Sequence, residues 1–361
     1  MTTTGNEKIP TYFVSFVNPN YSRSGTLLNS NSNCLNKEYV KVSSNWRLLM
    51  VELLKIRKSM EEASIVVVMS PAQKIAPLAR ILLNHKIILD AGWPLTDGIV
   101  SRGLTIAKIP KLIGSYFVDL MSFHSANLIL VESHAQMLRV SRRFAIPKSR
   151  LRVSFTGLNE SAFTKAPKPC DEFLMQKKII YESAKKINVI FRGSVNNESG
   201  INTILSAAES LENEINLIIV ADKSRLPKEL PANCFVFSYV SEAEMEEIYE
   251  ISDVALGQIS ENNRLKFTIP HKAFEAGFFA KAYVTPLVGG ISELYSSSAV
   301  HLLRNVSVVG LIEALRELYD PNVRARFESQ ISQEYSDKAS QNILSSNFDQ
   351  EVAAITNYKF L

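Results

Sequence analysis

The 361-residue chain contains no run that approaches eighteen uninterrupted apolar residues. Its densest stretches, Ile65–Met69 and Asn127–Val131, have only strand length, which excludes a spanning helix. Cysteine is scarce: Cys34, Cys170 and Cys234 stand far apart and odd in number, giving neither a disulfide framework nor a zinc spacing. That usage points to a reducing, cytoplasmic setting. The opening MTTTGNEKIP has no apolar core behind a basic segment, so it is not expected to act as a secretory signal. His124 and His134, like the other histidines, form no ligand pattern, and no metal is expected. No Gly-x-Gly-x-x-Gly follows any strand, which speaks against a dinucleotide-dependent dehydrogenase. No aromatic-interleaved basic run, zinc finger or helix-turn-helix spacing occurs, so nucleic acid is not an expected partner.

What is present is a globular composition, 46% hydrophobic and 21% charged, on a chain long enough for two domains. The net charge of +4 hides an asymmetry. Residues 1–165 hold 21 Lys and Arg against 10 Asp and Glu, whereas residues 166–361 hold 19 against 26. A basic first half suits an anionic partner, such as a membrane surface or a phosphorylated acceptor. Basic residues that merely decorate a solvated surface are the plainer explanation.

Strand and helix patterns alternate along both halves. In the first, Thr11–Asn18, Ile65–Met69, Lys86–Leu89, Leu128–Glu132 and Arg150–Phe155 have strand character. Helical spacing covers Trp46–Met60, Ala76–Leu83, Lys108–Ser122 and His134–Phe144, and Pro19–Gly25 reads as a polar loop. Ser161–Cys170, with two prolines, has the look of a linker. In the second half, strands are expected at Lys186–Phe191, Ile215–Ala221, Cys234–Ser238, Val254–Gln258 and Ala282–Thr285. Helices are expected at Ile201–Leu211, from Ser241 to Ile251 with a capping box to Glu244, from Ile269-Pro270, and at Val308–Tyr319 and Val323–Tyr335, before a helix-like tail. Val288-Gly289-Gly290 is expected to be a turn. Such alternation predicts an α/β architecture of two doubly wound lobes, with ligands at the carboxyl ends of the strands.

Three stretches of the second half carry a resemblance. NVIFRGSVNNESGINTILSAAESL joins a strand, a glycine loop and a helix. VFSYVSEAEMEEIYEISDVAL has a strand, a helix and a Ser-Asp turn, and IPHKAFEAGFFAKAYVTPLVGGISEL has a Pro-x-Lys-x-x-Glu helix, a strand and a Gly-Gly turn. In order and spacing, over about residues 186–295, these resemble the donor-binding lobe of GT-B glycosyltransferases, in particular the retaining family 4. The resemblance implies a GT-B fold of two Rossmann-like lobes with an interdomain cleft. It also implies transfer of a sugar from a UDP- or GDP-linked donor, itself a substrate, to a glycan or lipid-linked acceptor by a hexosyltransferase in surface polysaccharide or glycolipid assembly. On it, residues 1–165 are the acceptor-binding lobe, 166–345 the nucleotide-sugar lobe, and 346–361 a helical tail packing back on the first lobe. No Asp-x-Asp occurs, so no metal is expected to neutralise the leaving group.

Carried onto this sequence, Glu275 takes the position that grips the donor ribose, with a solvated helix carboxylate as the bland alternative. Lys272, three residues earlier on the same helix face, reaches the same site or pairs with Glu275. Gly193 and Ser194 open a loop into a helix, where free amides favour phosphate. The base is expected against the backbone of Phe237–Val240, including Tyr239 and Val240, and Gly289 and Gly290 form the turn beside the donor. Ser24 and Gly25 stand where a glycine-rich acceptor loop is expected, and Asp90, framed with Asp97, is a candidate to orient a sugar or acceptor hydroxyl or else a loop carboxylate. Two departures stand out: Glu198 and Ser199 occupy the places of an Arg-Lys pair, and Phe267 that of an earlier glutamate. Arg264, Lys266 and Arg192 are the cations available to replace the missing charge. A catalytically silent GT-B subunit and a nucleotide-sugar epimerase are the competing readings. Finally, Ile106–Phe123 mixes Lys108 and Lys111 with large apolar residues, which with Arg139, Arg142, Arg143, Lys148, Arg150 and Arg152 makes either a face for anionic lipid or an ordinary buried amphipathic helix.

Overall fold

Short runs of β-branched and aliphatic residues build two sheets. IVVV at β3 (Ile65–Val68), LILV at β5 (Leu128–Val131) and INLIIV at β8 (Ile215–Val220) are buried along their whole length, the pattern of parallel strands covered on both faces. The structure, a computed structural model, describes residues 8–20, 23–101, 103–164 and 186–356, with 169, 173, 177, 178 and 180 between them. The chain divides into two units: one runs to Asn159 and takes back the chain from Gln341, and the other is Glu160–Ser340. Lys165–Lys168 and Cys170 of the expected linker lie outside the described residues, as do residues 357–361 of the expected tail, while Glu160–Thr164 is a short helix.

In the first unit the sheet order is β2-β1-β3-β4-β5-β6, all parallel, with β1 Ile9–Ser15, β2 Leu35–Lys41, β4 Lys86–Gly92 and β6 Leu151–Val153. One face is covered by α2 (Trp46–Ser59), α3 (Ile75–Leu83), α5 (Ile109–Ser125) and α6 (His134–Phe144). The other is covered by α1 (Arg23–Leu28) and the C-terminal helix α14 (Gln341–Thr356), through Leu27, Leu344, Phe348 and Val352. Polar bonds fix α14 as well: Ser32 donates to Asp349 at 2.6 Å, Gln341 to the Thr26 carbonyl at 3.0 Å, and Arg152 to Glu351 at 2.9 Å.

Several elements differ from the sequence expectation. Residues from Arg23 onward form α1 rather than continuing the polar loop, so Ser24 and Gly25 sit inside a helix and are buried. Strand β2 carried no signal because LNKEYVK is a charged edge strand, half exposed and paired only with β1. Gly289 and Gly290 begin a helix, Gly289–Leu294, instead of closing a turn. The apolar stretch on α5 is turned outward: Ile109, Ile113, Phe117 and Met121 are exposed, whereas Asp119, Ser122 and Phe123 face in. On the inward face Phe123 joins the core with Tyr116 and Leu120 packed against it, and Asp119 accepts from the Leu95 and Thr96 amides and the Thr96 hydroxyl at 2.9–3.0 Å and so caps α4 (Leu95–Ser101).

In the second unit the order is β12-β11-β10-β7-β8-β9, again all parallel. The strands are β7 Ile187–Arg192, β9 Cys234–Phe237, β10 Val254–Leu256, β11 Ala282–Pro286 and β12 His301–Leu303. The order reverses between β7 and β10, and in open α/β sheets ligands bind outside the carboxyl ends at that switch. The helices that matter there are α8 (Ile201–Ser210), α9 (Glu242–Ile251), whose capping box from Ser241 to Glu244 is formed, and α10 (His271–Phe278). Among the described residues no helix is long and apolar enough to cross a membrane.

Candidate functional site

At the switch point β7 ends in Arg192, and Gly193 follows with φ +131°. The loop returns to α8 through Gly200 at φ +68°, where a Cβ would stand 1.8 Å from the Ile259 carbonyl oxygen. Only glycine fits there. Facing this loop is the first turn of α10. Lys272 is 5% exposed, and its Nζ lies 3.8 Å from the centre of the Phe191 ring and 3.4 Å from Gln258 Oε1. A Cβ on Gly193 would stand 3.7 Å from that same Nζ, so the bare glycine leaves the ammonium open to the loop. Among the described ion pairs, none joins Lys272 to a carboxylate. Burial, opposed by Glu275 and aided by Arg192, pushes its pKa down to about 7.

Glu275, one turn along the helix, is 2% exposed. Its Oε1 forms a salt bridge with Arg192 Nη1, 2.8 Å away, and lies 3.2 Å from His271 Nδ1, and its Oε2 accepts from the Tyr249 hydroxyl at 3.0 Å. Burial works against the charge, but Arg192, His271 and Tyr249 outweigh it and hold the carboxyl at about 2. Tyr249 is itself stacked on Phe279, ring centres 4.5 Å apart. The Lys272–Glu275 pairing allowed by helix spacing does not form: Glu275 holds Arg192, and Lys272 is left to the loop.

The cations proposed to replace the missing pair are separated by the fold. Arg264 donates to both oxygens of Glu198, at 2.9 and 3.0 Å, so that loop carboxylate and Arg264 neutralise each other. Lys266, at the end of the same short 3₁₀ turn, is exposed. Tyr239 and Val240 follow edge strand β9, two strands from β7, which at about 4.8 Å per strand places them about 10 Å along the carboxyl edge. Tyr239 is 92% exposed and held at φ +57°, an uncommon backbone for a bulky residue. Gly289 and Gly290 follow β11 on the same edge.

In the first unit Asp90 is part of β4, not of a loop, and is 1% exposed. Its Oδ1 accepts from Arg23 Nη1 and from the Gly92 amide. Arg23, also buried, donates onward to the Phe155 carbonyl at 3.3 Å and the Ser154 carbonyl at 2.5 Å. Asp90, the candidate to orient a hydroxyl or else a loop carboxylate, thus ties α1 to the ends of β4 and β6 through Arg23. Asp97 is taken up by Arg139 and Arg143, at 2.8 and 2.7 Å. Near them Glu132, at the end of β5, accepts from the Thr156 hydroxyl at 2.5 Å.

The site thus brings together Arg192, Gly193, Lys272 and Glu275. Sequence reasoning missed His271, Tyr249, Gln258 and Phe191. His271 was findable, being four residues before Glu275 on one helix face; Phe191 and Tyr249 come from a neighbouring strand and helix, and Gln258 from the loop after β10. Among the described residues no group of three or more His, Cys, Asp or Glu side chains is placed to hold a metal.

No family model matches the sequence, and no curated protein matches it. Solved structures do. A structure of Anabaena HepE in complex with UDP and glucose superposes with TM-score 0.70 at 11% identity, covering 96% of this chain and 100% of that one. A glycosyltransferase from Rickettsia africae gives 0.67 at 12% identity, covering 98% and 100%. A structure described as trehalose-6-phosphate from E. coli bound with UDP-2-fluoro glucose gives 0.66 at 11%, covering 95% and 98%. The two parallel six-stranded sheets with flanking helices are the GT-B fold.

Proposed function

We propose that the protein is a glycosyltransferase that moves a sugar from a UDP- or GDP-linked donor to a glycan or lipid-linked acceptor. The observation that carries this reading is Lys272, a buried cation facing the Gly193 loop at the β7/β10 switch and joined to no carboxylate in an ion pair among the described residues. An ammonium held so is complementary to an oxyanion, and a donor diphosphate brings one that gains charge as the sugar leaves. The resemblance to retaining family 4 and the UDP and UDP-sugar complexes among proteins of this fold support the same reading.

In this account the bond from the anomeric carbon to the β-phosphate oxygen breaks, and the nucleoside diphosphate departs with the electron pair. Lys272 and the amides after Gly193 stabilise that charge without a metal. The acceptor hydroxyl adds to the anomeric carbon on the same face, and its proton passes to the departing phosphate, which gives retention. Glu275 positions Arg192 and His271 at the loop, and a ribose reaching Oε1 would have to displace one of them. The end of β9, with Tyr239 and Val240, takes the base. The first unit takes the acceptor, and the setting is cytoplasmic surface-polysaccharide or glycolipid assembly.

One observation favours a catalytically silent subunit instead: the loop carries Glu198, which occupies Arg264. Calorimetry with UDP and GDP, followed by a hydrolysis and transfer screen of the matching nucleotide sugars, separates the two. A silent subunit gives no turnover of any donor, and absence of nucleoside diphosphate binding refutes the glycosyltransferase reading and favours the silent subunit.

A further inference from the structure

We propose that α5 and the turn before it seat the protein on the surface of an anionic lipid bilayer. The inference stands apart from the glycosyl-transfer reading, since it uses the outer face of the first unit only. Ile109, Ile113, Phe117 and Met121 repeat every fourth residue, so they form one stripe about 18 Å long down a single helix face. All four are exposed, the last three by more than half, and Ile106 just before the helix is 86% exposed. The turn that presents it is closed by Lys108, which donates to the Gly103 carbonyl at 2.6 Å. The helix's inward face is occupied by Asp119 and Phe123, so the stripe is not a core face left over by a rotated helix.

Charge decides what covers it. Between residues 63 and 159 the sequence has twelve Lys and Arg and four acids, Asp90, Asp97, Asp119 and Glu132. All four acids are buried. Among the described residues, then, the surface of this stretch shows positive charge and no negative charge, with Lys111 exposed on α5 and Arg142 and Lys148 exposed nearby in sequence. A bulky apolar stripe with cations and no acids matches an interface of acyl chains beneath anionic headgroups, the long lysine reaching up to them. A second copy of this chain would bring like charges together across a two-fold axis, and a protein partner is normally met by a polar rim rather than a rim of one sign.

The test is co-flotation of the full chain with phosphatidylcholine vesicles, with and without phosphatidylglycerol, at low and high salt. Binding is expected to the phosphatidylglycerol vesicles, weakened by salt, and reduced about tenfold or more by Ile113→Glu/Phe117→Glu. Thermal melting confirms that this variant is folded; should it melt early, Lys111→Glu reads the charge contribution alone and is expected to weaken binding. The proposal is overturned if the wild type ignores phosphatidylglycerol, if the folded variants bind as well as the wild type, or if light scattering shows a dimer that Ile113→Glu/Phe117→Glu dissolves.

Discussion

Replacing Lys272 by methionine should move nucleotide affinity and fold stability in opposite directions. Methionine keeps the length of the stem and its contact with Phe191 but removes the ammonium. The lost interaction with a diphosphate is a charge-assisted hydrogen bond, worth about 1.5–3 kcal/mol, so the dissociation constant for UDP or GDP should rise by about 10- to 150-fold. The free protein should gain stability, because burial penalises the charged lysine: a fall from 10.5 to about 7 corresponds to a cost on the order of 5 kcal/mol. The folded pKa lies below the unfolded one, so that cost is full below pH 7 and disappears as pH rises toward 10.5. Wild-type stability therefore gains from this group between pH 7 and pH 9, by about 2 kcal/mol, and the Met variant lacks that gain. Calorimetry with UDP and GDP reads the first effect, and urea denaturation at the two pH values reads the second. Unchanged nucleotide affinity, or a variant less stable than the wild type at pH 7, would refute the reasoning.

Three further outcomes follow from neighbouring contacts. Glu275→Gln should cost about 3 kcal/mol at pH 7, because it removes a buried carboxylate that Arg192, His271 and Tyr249 hold near 2. Its folded pKa is depressed, so the stabilisation is present above about pH 4.5, and urea curves of wild type and variant should converge as pH falls toward 2. Gly200→Ala should lower the melting temperature sharply, by more than about 2 kcal/mol of stability, since its Cβ would meet the Ile259 carbonyl at 1.8 Å; a melt within a degree of wild type would show that the loop can shift. Glu198→Gln should tighten nucleoside diphosphate binding several-fold by releasing Arg264's charge toward the loop, and weaker binding in calorimetry would mean that Arg264 needs Glu198 to be held in place.

The sequence carried the fold through its apolar runs and caps. IVVV, LILV and INLIIV could hardly be anything but buried strands, and the Ser241–Glu244 box marked a helix start that formed. It failed where tertiary partners decide. Arg23 ends up buried because Asp90 is waiting for it in β4, and no local pattern announces a pair separated by that much chain. Strand β2 is an edge, so its charged residues hid it. The site was legible in part: the spacing put Lys272 and Glu275 on one helix, but left open that they pair with each other. Strand order is what delivers Arg192 to Glu275 and leaves Lys272 facing Gly193. The outward stripe of α5 was visible as apolar spacing, yet its direction shows only in the fold, where Phe123 enters the core and Asp119 caps α4.

The most direct test of the central claim is a crystal structure of the protein with whichever of UDP or GDP it binds. The account predicts the β-phosphate within hydrogen-bonding distance of Lys272 Nζ and against the amides that follow Gly193, with the base toward Tyr239 and Val240. A diphosphate bound away from Lys272 would contradict it.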